Sequence, residues 1–124
     1  MNRETKFGDL VGKTLSKIEG AVGSDTINFT VDDASRYRMY HSQCCCEIVD
    51  VEDICGDLLD LIGAPILQAE ESSSETPPEG CTPHNESNLW TFYRLATIKG
   101  SVTIRWHGSS NGCYSESVNF DLIH

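Results

Sequence analysis

His41 stands three residues before a run of three cysteines, Cys44, Cys45 and Cys46, and further along the order reverses in Cys81 and His84. Thiolate and imidazole are the ligands of tetrahedral structural zinc, which takes four of them, commonly as two closely spaced pairs. The spacings H-x2-C and C-x2-H supply two such pairs. They are read as a two-cysteine, two-histidine zinc site made by His41, one of Cys44 or Cys45, Cys81 and His84. Cys46 is a further alternative in the first pair. Three adjacent cysteines cannot all reach one ion, so at least one is a packed or free thiol. The order His–Cys–Cys–His is not that of a common zinc finger. His107 with Cys113 is a competing pair, and a disulfide between Cys81 and one of the cluster is a competing chemistry.

Catalysis is less well supplied. A covalent mechanism needs a nucleophile, a base and a group to orient the base. Cys45 with His41 or His107 could be drawn that way, as in any chain rich in cysteine and histidine. No nucleophile elbow, Walker loop or dinucleotide fingerprint accompanies them. A catalytic zinc signature is also missing. The expectation is a protein that is not an enzyme.

Charge is distributed more tellingly than it is summed. The 124 residues carry nine Lys and Arg against nineteen Asp and Glu, a net charge of −10. No basic residue occurs from Met39 to Tyr93, where acids run from Glu47 to Glu86. A one-sign segment of this kind repels nucleic acid and is steered towards a basic partner. It also serves simply as a solvated face. The carboxylates read as partner contacts are Asp53, Asp57, Asp60, Glu70, Glu71, Glu75 and Glu79.

The elements that must position these groups follow from periodicity. A short helix is expected around Glu4 to Val11. Leu15 and Ile18 mark the next element, and Ile27, Phe29 and Val31, then Tyr37, Met39 and His41, alternate as strands do. His41 therefore ends a strand. Val51, Ile54, Cys55, Leu58, Leu61 and Ile62 fall three or four apart, with Asp53, Asp57 and Asp60 opposite, which predicts a helix over 52–62 with Cys55 in the core. Gly63 and Pro65 stop it. A short strand is expected in Pro65–Ala69, then a long Ser/Pro/Glu-rich loop over 70–88, pinned by the metal. Strands return in Leu89–Ile98, Ser101–Trp106 and Tyr114–Leu122, separated by turns at Lys99-Gly100 and His107–Gly112. The expected fold is a single α+β domain over 1–124: an antiparallel sheet of about six strands with one main helix.

The segments "FGDLVGKTLSKIEG", "RYRMYHSQCCCEIVDVEDICGDLLDLIGAPILQAEE" and "WTFYRLATIKGSVTIRWHGSSNGCYSESVNFDLI" resemble a family of small phage and prophage proteins. Members of streptococcal prophages include anti-CRISPR proteins, one of them metal-containing and directed at a type II effector nuclease. The resemblance implies a phage-encoded inhibitor with structural zinc. Its partner would be the RNA-guided Cas nuclease of the host, whose heteroduplex channel is positively charged. It supplies no contact residues. The alternatives are a sponge or hydrolase for a nucleotide second messenger, using Arg36, Arg38, Arg94 and Arg105 with Trp90, Trp106 and Tyr93, and a structural or regulatory phage protein. No apolar run is long enough to span a membrane, and the start lacks the apolar core of a signal peptide, so the host cytoplasm is the expected location.

Overall fold

The computed structural model of the chain describes residues 6–41, 47–75, 87–110 and 116–123. Alternation of apolar and polar side chains decides most of it. Eight strands are described: β1 Leu15–Glu19, β2 Thr26–Val31, β3 Arg36–Tyr40, β4 Ile48–Cys55, β5 Gln68–Ser74, β6 Ser87–Thr97, β7 Gly100–Ser110 and β8 Asn119–Leu122. They make two four-stranded sheets in the orders β1-β2-β3-β8 and β4-β7-β6-β5, with every strand pair antiparallel. Ile27, Phe29 and Val31 of β2, and Tyr37 and Met39 of β3, turn inward. They meet Val102, Ile104 and Trp106 of β7 and Tyr93 and Leu95 of β6 in one apolar cluster, the arrangement of two sheets packed face to face. The indole N–H of Trp106 donates to the Met39 sulfur across the cluster at 3.0 Å. Tyr37 stacks on Phe120 of β8 at 5.4 Å between centroids.

The α+β expectation is overturned. Among the described residues the helical content is two 3-10 turns, Phe7–Leu10 and Leu58–Leu61, and no main helix covers a sheet. The segment read as helix 52–62 is the second half of β4 followed by the second of these turns. A β-bulge explains the misreading. Val49 and Val51 face the core, but the register with β7 slips between Val51 and Asp53, so Glu52 is an additional residue. The inward position then passes from Val51 to Ile54, three residues on, which imitates helical spacing. At Gly56 the chain takes φ +112, and a Cβ there would stand 2.6 Å from the Ser101 carbonyl oxygen. Asp57 then caps the 3-10 turn, its carboxylate accepting from Leu59 N–H at 2.9 Å. Cys55, expected in the core, is exposed.

Two further expectations are corrected. The long loop over 70–88 begins as a strand, since Gln68–Ser74 pairs with β6 residue by residue. The residues of its metal pin, Cys81 and His84, lie outside the described residues, and among those described no group of three or more His, Cys, Asp or Glu is placed to hold an ion. The turn expected at His107–Gly112 does not begin at His107, because β7 runs on to Ser110. The first sheet is tied to the second by the β1–β2 loop. Gly23 N–H donates to the Val51 carbonyl, and Val51 N–H to that of Ser24, both at 2.8 Å. No helix of the described residues is long and apolar enough to cross a membrane.

Candidate functional site

Of the residues read as zinc ligands, His41 lies within the described structure. Cys44, Cys45, Cys81 and His84 lie outside it, as do the alternatives Cys46 and Cys113. His41 follows the last residue of β3 and Glu47 precedes β4, so the two flank the cysteine run. Their side chains meet. His41 Nε2 stands 2.8 Å from Glu47 Oε2, with the two side chains 4% and 0% exposed. The other ring nitrogen, Nδ1, lies 2.6 Å from the Ser117 carbonyl oxygen. A carbonyl only accepts, so Nδ1 carries a hydrogen. Nε2 faces a carboxylate, so a further proton lies between the two groups and the buried pair is neutral as a unit. The pair draws the end of β3 and the start of β4 together in a neck and fastens His41 to the segment leading into β8. A metal at His41 would displace one of these bonds and be oriented by the other.

The carboxylates read as partner contacts are dispersed by the fold. Asp53 and Asp57 are exposed on and just after β4, and Asp60 is half-buried in the 3-10 turn. Glu70 and Glu71 are exposed on β5, and Glu75 just beyond it; Glu79 lies outside the described residues. β4 and β5 are the two edges of one sheet, with β7 and β6 between them. Three strand spacings of about 4.8 Å separate them, roughly 14 Å. The described carboxylates of this segment, which is continuous in sequence, therefore frame one sheet instead of forming a single patch.

The outer face of that sheet holds a polar network that periodicity does not reveal. The bulge at Glu52 aims its carboxylate along the face. Arg105 Nε reaches it at 2.7 Å, Trp90 Nε1–H donates to it at 3.2 Å, and His107 Nδ1 stands 3.7 Å away. His107 stacks on Trp90 at 4.8 Å between centroids, and its Nε2 meets Asn88 Oδ1 at 3.0 Å. Asp50, paired with His107 across the strands, has its carboxyl pushed above the ordinary range by burial, with His107 acting against the shift. One signal was legible: Trp90 sits on the opposite parity from Tyr93 and Leu95 in β6 and is nonetheless buried. The aromatic and basic groups proposed for a nucleotide pocket divide among three places. Trp106 and Tyr93 are in the core, while Arg94, Arg105 and Trp90 belong to the second sheet's outer face. Arg36 and Arg38 stand on β3 of the first sheet.

These features define a class: a two-sheet antiparallel β protein with exposed carboxylates along the edges of one sheet, in which the described histidines, His41 and His107, are tied into a buried pair and a polar network. The chain belongs to the family described as DUF7448, a domain of unknown function, which matches residues 8–120. Comparison with curated proteins and with solved structures finds no match.

Proposed function

We propose that the protein acts by binding, as a module that presents carboxylates to a basic macromolecular surface. The observation that carries this is the exposure of Asp53, Asp57, Glu70, Glu71 and Glu75 on the two margins of one sheet, within a stretch of chain free of Lys and Arg. Charge so arranged sets encounter rate and selectivity more than affinity. The titratable clusters support a binding role because each is engaged internally: His41 with Glu47, and Glu52 with Arg105, Trp90 and His107. The resemblance to phage anti-CRISPR proteins names one basic surface of the right kind, the nucleic-acid channel of an RNA-guided nuclease.

The test is co-purification of the protein with such a nuclease, followed by target-DNA loading. A complex that weakens steeply with salt, and that is lost when Asp53, Asp57, Glu70 and Glu75 are changed to Lys, is expected. A complex indifferent to those reversals would show the carboxylates to be solubilising only. The absence of any complex at low salt, with DNA loading unaffected, would remove the nuclease as the partner.

A further inference from the structure

The four edges of the two sheets are unequally guarded. Open edges invite pairing with another chain, and proteins blunt them with bulges, brevity or charge. Among the described residues, β1 slips register between Leu15 and Lys17 and is bridged at Leu15 by Ile62. β4 slips between Val51 and Asp53, and the β1–β2 loop bonds to both backbone groups of Val51. β8 is four residues long. β5 has neither bulge nor brevity: among the described residues it holds seven, with no proline and an unbroken register with β6 from Gln68 to Ser74, and its guard is charge. The first 3-10 turn lies over its start, where a Cβ on Gly8 would stand 4.0 Å from the Ala69 carbonyl oxygen. Beyond that point the edge carries exposed Glu70 and Glu71.

A groove of about 450 Å³ opens beside this edge, between β5 and β8, lined by Lys6, Phe7, Glu71, Val118, Phe120 and Asp121 among others. Phe7 and Phe120 form an aromatic wall, edge to face at 5.3 Å. Glu71 and Asp121 bring carboxylates to it, the latter also accepting the Tyr40 hydroxyl. Tyr93 lies under Phe7, 4.7 Å between centroids, and is fully buried. Its hydroxyl makes no hydrogen bond of ordinary geometry. Burial raises its ionisation first, and the nearby Glu71 carboxylate pushes it further.

We propose that β5 is a docking edge for an extended, basic segment of a partner protein, which adds as a further strand and lays a Lys or Arg side chain in the groove. Backbone pairing gives such a complex its affinity, and a pocket for alternate side chains gives its selectivity. The apolar stem would lie on Phe7 and Phe120, with the charged head at Glu71 and Asp121. A second copy of this chain is disfavoured, because β5 against β5 sets Glu70 and Glu71 against their like. Lys6 is the opposing charge in the groove. This inference rests on the reading of the protein as a binder of basic partners, and assigns that reading to one strand.

The full chain is titrated with a peptide of about nine residues alternating Lys and Thr, and with a second peptide of equal charge in which Pro replaces alternate Thr. Expected are slowed amide exchange within Glu70–Ser73 for the first peptide and loss of binding for the second. Glu71→Lys should weaken the first peptide about tenfold, and Lys6→Ala should tighten it. Equal binding of the two peptides, or protection elsewhere, would overturn edge pairing while leaving the charge reading intact. If neither peptide binds at low salt, both fall.

Discussion

His41 and Glu47 are six apart in sequence, and the pair they make is the chain's most enclosed ionic contact among the described residues. Breaking a buried pair by deleting one partner costs more than the pair contributes, because a desolvated group is left behind. His41→Leu should therefore lower unfolding free energy by about 3 kcal/mol, read from urea denaturation. His41→Leu with Glu47→Leu should recover part of that loss. A single variant no less stable than the parent would show that the neck is dispensable. Asp50 gives a different sign. Its carboxyl is held above the ordinary range by burial, so between the unfolded and folded values the folded state binds the extra proton. Stability contributed by this group falls as pH rises through that window and stays lowered above it. Asp50→Asn should raise the melting temperature at pH 7, and the gain should vanish below the ordinary carboxylate range. A gain that persists in acid would assign the effect to packing instead.

At the scale of elements, strands whose alternation is undisturbed were legible. β2 holds Ile27, Phe29 and Val31, and β3 holds Tyr37 and Met39, the residues whose alternation marks these strands. What failed was parity. One bulged residue at Glu52 turned a period of two into an apparent period of three to four, and the 3-10 turn at Leu58–Leu61 extended the illusion. The network around Glu52 was out of reach for a related reason: Asn88, Trp90, Arg105 and His107 become neighbours only through register. The His41 half of the neck was legible as a strand-end ligand candidate, but its partner Glu47 was read only as the first acid of the segment free of Lys and Arg. The bulged strand is also followed by a residue with no substitute. At Gly56 both the positive φ and the 2.6 Å approach of the Ser101 carbonyl exclude a side chain. Gly56→Ala should cost about 2 kcal/mol or more, measured by thermal or urea unfolding. A neutral result would mean that β4 can end elsewhere.

For the whole molecule, the hairpin of β6 and β7 has the longest pairing, from Ser87 opposite Ser110 to Thr97 opposite Gly100. Its turn is anchored by side chains. Lys99 N–H donates to Thr97 Oγ1 at 3.1 Å, the Thr97 hydroxyl donates to the Asp60 carbonyl, and Lys99 Nζ donates to that of Ile62 at 2.7 Å. Both flanking strands of this sheet reach it from earlier in the chain, so their contacts close longer loops than the hairpin's own. The order of assembly follows: the ribbon forms first and serves as the template on which β5 and β4 settle. Destabilising Thr97 or Ile104 should slow refolding, whereas changes in β4 should chiefly hasten unfolding, a division that stopped-flow kinetics can read.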